Sequence, residues 1–129
     1  MIIKKEINIF KSLLKSAIMK KFIVTYHMPD ELLWAESNAE DREKGMEEWM
    51  AWAEKCGDKL IDFGTPLMGG QKLSQDGSSQ ESKRQVCGYS ILQAENMDEA
   101  KALLQEHPHL GWNGACEIEV HESIPPPGM

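Results

Sequence analysis

Histidines and the acidic side chains near them are the groups in this chain best suited to chemistry. Of the four histidines, His27 ends a run of strand-forming residues, while His107 and His109 stand on either side of Pro108. An imidazole close to a carboxylate can act as a general acid or base near neutral pH. We therefore take His109, His27 and His107 as candidate catalytic residues, provided that the fold brings them together.

The second half of the chain predicts a strand, a helix and a returning strand around these histidines. Residues 88–92 have the aromatic and branched side chains of a buried strand. Asn96 is a typical helix N-cap, and the apolar face that follows extends to His107, on the buried stripe. Pro108 removes a backbone donor and is predicted to end this helix. Residues 116–120 alternate apolar and polar, which indicates a strand with one buried face.

The first half predicts a strand, a helix and a hairpin. Residues 20–27 are apolar on both faces over their centre, as in a central strand covered on both sides. A helix is predicted over residues 39–56, with Gly57 as its stop. Its apolar stripe comprises Met46, Trp49, Met50, Ala53 and Cys56, with Trp52 beside it. Residues 64–67 form a bend, and Asp76-Gly77 is the predicted hairpin tip.

The predicted order β-α-β-β-α-β is that of a ferredoxin-like α+β domain. In an antiparallel sheet of order 4-1-3-2, the first strand and the second helix end at the edge where the first helix starts. One end of the domain should therefore gather His27, Asp30, Glu43, Glu47, His107, His109 and Trp112. We expect a substrate pocket at this end, lined by Tyr26, Glu47 and Trp112, with His121 at the opposite end.

The face of the sheet away from the helices would be left uncovered in a single chain. Phe22, Ile23, Val24 and Tyr26 cannot all point into the helix layer. We therefore expect a second subunit to cover that face, so that two sheets pack face to face as a dimeric α+β barrel.

Each candidate residue also has a purely structural interpretation. His107 on an apolar stripe is typical of a core histidine bonded to a backbone carbonyl. His109, placed beyond the proline, is expected near the surface, where it could simply satisfy helical carbonyls. The tryptophans Trp49 and Trp52 are expected in the core or the dimer interface before any cofactor site. A three-histidine metal site is disfavoured because no HxH strand or HxxxH helix pattern is present.

Composition narrows the class of protein. The chain has 129 residues, enough for one domain with a real core, and a net charge of −7, which disfavours nucleic-acid binding. No apolar run approaches the roughly 18 residues that a membrane helix needs. The three scattered cysteines have no CxxC spacing, which favours reduced thiols in a cytoplasmic protein. Nothing in the sequence calls for a metal or cofactor.

Three segments are distinguished along the chain. Residues 1–18 carry four lysines and one glutamate, unlike the acidic remainder. They are expected to be a loose tail or an over-extended start, although a basic amphipathic helix at a membrane surface is an alternative. Residues 19–122 form the predicted domain, and residues 123–129 a proline-rich tail.

From Met19 to Pro127 the chain resembles the YCII-related (DGPF-type) family of dimeric α+β barrel proteins. The similarity lies in residues 19–24, Gly64-Thr65-Pro66-Leu67, Gly88-Tyr89, Asp98-Glu99-Ala100, His107-Pro108-His109-Leu110 and residues 117–120. Residues 76–83 are similar in spacing to the family signature, but Ser78-Ser79 replaces its Pro-Phe. The resemblance implies the fold and the dimer.

The resemblance does not carry a known reaction to this chain. Some members have a proposed catalytic His–Asp pair, and one branch dehydrochlorinates a hydroxyquinone. The corresponding positions here are Met46 and His107-Pro108, so neither member of the pair is present. Two functions remain open: a cofactor-independent enzyme or small-molecule-binding protein that uses the histidine-lined end, and a non-catalytic dimerisation module.

Overall fold

The computed structural model of the protein describes residues 19–29 and 39–128. The Asp30 side chain, predicted to lie at the histidine-lined end, and residues 1–18 fall outside this range. The described strands are β1 (Lys20–His27), β2 (Leu60–Asp62), β3 (Gln71–Leu73), β4 (Ser79–Glu81), β5 (Val86–Ala94) and β6 (Glu117–Ser123). The described helices are α1 (Ala39–Cys56), α2 (Met97–Gln105) and α3 (Pro108–Trp112).

The main sheet is antiparallel and has four strands in the order β2-β5-β1-β6. Strands β3 and β4 pair only with each other and form a separate hairpin. Asp76 and Gly77 lie in the turn of that hairpin, as predicted, and Gly77 takes a φ of 90°. The described chain is therefore an α+β domain built on an antiparallel sheet.

The first strand is central in the sheet and carries apolar side chains on both faces, as predicted. Phe22, Val24 and Tyr26 are all buried in the core that lies under the helices. Ile23 faces the other side and is half-buried. Because side chains alternate across a strand, three of the four apolar residues point into the helix layer and Ile23 does not. The four residues are thus divided between the two faces, as predicted.

Helix α1 has the predicted bounds, and Trp49, Ala53 and Cys56 of its predicted stripe pack on the core, but the buried face is shifted. Trp52, placed beside the stripe by the sequence, is buried, and its indole Nε1 donates to the carbonyl oxygen of Leu103 on α2 at 2.8 Å. Met46 and Met50, placed on the stripe, are 55% and 56% exposed. The helix is therefore rotated so that Trp52 and Cys56, rather than the two methionines, contact the core.

Pro108 begins a helix instead of ending one. Asn96 caps α2 as predicted, since its side chain accepts from the backbone N–H of Glu99 at 2.9 Å. That helix ends at Gln105, and Pro108 opens α3 with His107 as its N-cap. Proline is favoured in the first turn of a helix because its missing N–H has no partner there in any case. His107 thus lies between two helices and not on the stripe of α2.

The bend after β2 depends on a close approach between two backbone segments. Gly64 has a φ of +80°, and a Cβ built on it would stand 1.7 Å from the carbonyl oxygen of Tyr89. Only glycine fits here, because it lacks the Cβ and tolerates the left-handed backbone. The bend brings the segment after β2 alongside β5, where the backbone N–H of Leu67 donates to Cys87 at 3.0 Å.

Candidate functional site

A cluster of aromatic rings and histidines lies on the helix-covered face of the sheet. The ring of Tyr26 is 4.8 Å from that of His107, 5.4 Å from that of His109 and 4.9 Å from that of Trp49, centroid to centroid. His107 also packs against Trp52 at 4.3 Å. The predicted meeting of His107 and His109 therefore occurs, but inside the core.

His107 is held as a neutral ring. Its Nδ1 accepts a hydrogen bond from the backbone N–H of His109 at 2.9 Å, so the single proton of the neutral ring belongs on Nε2. Nε2 is buried without a hydrogen-bond partner among the described residues. Burial, and then the neighbouring His109, lower the pKa of His107 to about 3. A ring with this pKa is neutral at neutral pH.

His109 is buried too, which corrects the prediction that it lies near the surface. It is 5% exposed, and its Nε2 lies 2.9 Å from the carbonyl oxygen of His27 and 3.1 Å from that of Glu117. Because both partners are acceptors, Nε2 carries the proton and donates to both. His27 and Glu117 pair across β1 and β6, so the ring ties the two strands together. Desolvation by burial lowers the pKa of His109.

The hydroxyl of Tyr26 also makes a structural hydrogen bond in the core. The Ser90 hydroxyl donates to the carbonyl oxygen of Phe63 at 2.7 Å, and the Tyr26 hydroxyl lies 2.8 Å from the Ser90 oxygen. Since Ser90 has used its proton, Tyr26 donates to Ser90. Burial raises the pKa of Tyr26 to about 12, so the phenol stays protonated. Tyr26 therefore belongs to the core, not to the predicted substrate pocket.

His27 lies on the other face of the sheet, where none of the described helices packs, and its side chain is largely buried. Its Nδ1 is 2.7 Å from the carbonyl oxygen of Arg84 and therefore carries a proton. In the neutral ring Nε2 must then be the acceptor, and the hydroxyl of Thr25 lies 2.8 Å from it. The carboxylate of Glu119 is 3.6 Å from the same Nε2. A base, a hydroxyl donor and a carboxylate thus meet on this face.

Glu119 links two histidines. Besides its contact with His27, its Oε1 accepts from Nε2 of His121 at 3.1 Å. The hydrogen bond from His121, followed by the charges of His27 and Arg84, lowers the pKa of the Glu119 carboxyl. The sequence placed His121 at the far end of the domain, whereas the structure connects it to His27 through this one carboxylate.

A row of polar side chains runs across the open face, and we call it the transverse row: Asp62, Tyr89, Thr25 and Glu119. Thr25 pairs in register with Tyr89 on β5 and with Glu119 on β6. The Tyr89 hydroxyl makes a long contact of 3.5 Å with Asp62 at the β2 edge. Each of the four main strands therefore contributes one polar group to the row. Together with His27, the row contains donors, acceptors and a base on one surface.

The predicted site residues do not all meet. The backbone carbonyl oxygen of His27 accepts a hydrogen bond from the His109 ring, but the His27 side chain lies on the opposite side of the sheet. Glu43 and Glu47 are exposed on α1, and Trp112 is 57% exposed on α3. Within residues 19–29 and 39–128, neither Glu47 nor Trp112 makes a hydrogen bond or ring contact with a histidine. The predicted pocket of Tyr26, Glu47 and Trp112 is thus not formed as one group.

Sequence reasoning missed Thr25, Tyr89 and Glu119. A signal for them was present, since Thr25 and His27 share one face of β1 by their spacing of two. Glu119 and His121 do the same on β6. What the spacing could not give was the register that sets Thr25 opposite Glu119.

The described residues offer neither a metal centre nor a membrane span. Within the described residues, no group of three or more histidine, cysteine or acidic side chains is placed to hold a metal ion. The same part of the chain contains no helix that is both long and apolar enough to span a membrane. All three cysteines are free thiols.

The positions related to the catalytic pair and signature of the resembling family have structural roles here. Met46 is exposed on α1, and His107 caps α3. At the signature, the Asp76 carboxylate accepts from the backbone and hydroxyl of Ser78 at 2.9 and 2.6 Å, which stabilises the hairpin turn. These contacts are turn chemistry.

Comparison with known proteins places the chain by family. No curated protein matches it. The family model described as the YCII-related domain matches residues 19–123, a range that begins one residue before β1 and ends with β6. The chain therefore belongs to the YCII-related domain family.

Proposed function

We propose that this protein is a dimeric small-molecule-binding protein whose site is the open face of the sheet, with His27 as a cofactor-independent general base. The observation that carries the proposal is the fixed tautomer of His27. Its Nδ1–H is bonded to the carbonyl oxygen of Arg84, so Nε2 carries the lone pair, which accepts from the Thr25 hydroxyl beside Glu119. A base must be oriented in this way before its pKa matters.

The same reasoning removes the other two histidines from the catalytic role. His107 and His109 lie in the core under the helices, and burial lowers the pKa of each ring. His27 is also largely buried, at 8% exposed, but its ring lies on the other face beside Thr25 and Glu119. His107 and His109 support the site instead, since His109 binds the backbone of His27 itself. General acid or base chemistry at this end of the sheet therefore rests on His27 alone.

The dimer supplies the enclosure that a single chain does not. The main sheet has helices on one face, and its open face carries the half-buried pair Ile23 and Ile91 next to the transverse row. In our proposal the domain is ferredoxin-like and two copies pack these faces together as an α+β barrel. The polar row would then line the space between the sheets. The free cysteines fit a reducing compartment such as the cytoplasm.

Polar composition favours ligand binding over a purely structural barrel. An interface that served only for packing would bury Asp62, whose carboxylate has no ion-pair partner among the described residues, and burying an unpaired carboxylate is costly. A polar ligand or enclosed water would satisfy it. The non-catalytic dimerisation module remains the second candidate, and the scaffold roles of His107 and His109 are what favour it.

Two measurements test the proposal. Sedimentation of the full chain at low micromolar concentration should give about twice the chain mass. A fragment screen followed by NMR should then show hits that perturb Thr25, His27, Tyr89 and Glu119. These hits should be lost in His27→Gln and kept in Glu54→Gln, which changes an exposed carboxylate on α1. A clean monomer would refute the barrel. Hits that bind His27→Gln as well as the unmodified protein would refute the site.

A further inference from the structure

Thr25 makes a direct side-chain hydrogen bond to His27. Its hydroxyl is the group that donates to Nε2 at 2.8 Å, and the residue is half-buried on the open face of β1. The opposite ring nitrogen is fixed by the carbonyl of Arg84 at 2.7 Å. A hydroxyl, an imidazole and an orienting acceptor in this order form the arrangement by which a weak hydroxyl nucleophile is activated.

The surroundings fit the charge changes of such a reaction. When Nε2 takes the proton of Thr25, the resulting imidazolium lies 3.6 Å from the Glu119 carboxylate, which stabilises it. On the other side of Thr25, Tyr89 stands opposite in register, with a hydroxyl that makes only a long contact to Asp62. That hydroxyl is a candidate donor for a developing oxyanion.

Two residues along the strands from Thr25 and Tyr89, the same face of the sheet is apolar. Ile23 on β1 and Ile91 on β5 pair in register on the same face as Thr25 and Tyr89, and both are half-buried. An acyl group held over Thr25 would find this apolar pair beside it. The combination of the transverse row with this apolar pair suits a small ester with a short aliphatic acyl chain.

We propose that Thr25 is a nucleophile and that the site transfers acyl groups from small activated esters, a proposal that rests on the proposed role of His27. The Thr25 oxygen forms a bond to the acyl carbon while the ester carbon–oxygen bond breaks. The proton passes from Thr25 to Nε2 of His27 and then to the departing alcohol. Water, deprotonated by His27, next attacks the acyl-threonine, which releases the carboxylic acid and restores the hydroxyl.

The test uses the full chain with p-nitrophenyl acetate as the probe. After a short incubation and an acid quench, peptide mass spectrometry should find one acetyl group on the peptide that contains Thr25. Thr25→Val, which keeps the branched shape, should lose this adduct, and Thr25→Ser should retain it. His27→Gln should slow its formation by about a hundredfold. The matched control is Thr65→Val, which changes the other threonine of the chain, on the exposed bend, and should acetylate normally.

The outcomes separate this proposal from the one before it. Acetyl groups on lysine or histidine alone, no adduct on the folded unmodified protein, or an undiminished adduct in Thr25→Val would each overturn it. If Thr25→Val also keeps the fragment binding that His27→Gln loses, the proposed function stands without acyl transfer. If no fragment binding depends on His27 either, both proposals fall. Melting curves establish that each variant is folded.

Discussion

Acid should destabilise this protein through His107. The ring is 1% exposed and its pKa in the fold is about 3, whereas an unfolded histidine has a pKa of about 6.5. A histidine whose folded pKa is lowered gives full stability above the unfolded value. That stability is lost as the pH falls below about 6.5, because this histidine binds a proton in the unfolded chain but not in the folded one. The loss continues until the pH approaches about 3.

The expected loss in the free energy of unfolding follows from the folded and unfolded pKa values of His107. At about pH 5 the unfolded histidine is almost fully protonated and the folded one is not, so His107 alone should lower the free energy of unfolding by about 2 kcal/mol relative to about pH 8. The assay is urea unfolding at both pH values and at one protein concentration. His107→Phe keeps a ring against Trp49 and Trp52 but cannot be protonated. Its pH-dependent loss should be smaller by about the same 2 kcal/mol.

The variant is also expected to be less stable at both pH values. Removing Nδ1 leaves the backbone N–H of His109 without its acceptor, which costs on the order of 1–3 kcal/mol. Leu104→Ala is the matched control, since it weakens the core without changing an ionisable group and should keep the full pH dependence. If His107→Phe loses as much stability in acid as the unmodified protein, the reasoning about His107 is refuted.

Three further predictions follow from the fold. His109→Ala should cost on the order of 1–3 kcal/mol in urea unfolding, because it leaves a cavity and frees two carbonyls; a loss near that of the exposed Leu110→Ala would show that the ring is not buried. Gly64→Ala should cost more than about 3 kcal/mol or prevent folding, since its Cβ would overlap Tyr89. Gly45→Ala, with open space around it, should be tolerated. Equal melting temperatures of the two variants would contradict the tight bend. A chain that begins at Met19 should melt within a degree or two of the full chain, as expected for a terminal segment outside the domain; a large drop in melting temperature would instead mean that residues 1–18 pack on it.

Local patterns in the sequence were sufficient for most of the secondary structure. The Asn96 cap, the helix over residues 39–56 and the turn at Asp76-Gly77 were predicted correctly. So was the alternation of β6. Each of these depends on residues a few positions apart, so the periods of 3.6 and two report them directly.

Tertiary structure decided what those patterns leave open. A period states which side chains share a face, but not which face the helices cover. For that reason Trp52 rather than Met46 entered the core, and His109 was buried instead of exposed. The orientation of His27 depends on Arg84, which is 57 residues away in the chain. Its separation from His107 and His109 depends on the sheet that lies between them. Local patterns therefore identified the candidate histidines, while only the packed sheet could place His27 on one face and the rings of His107 and His109 on the other.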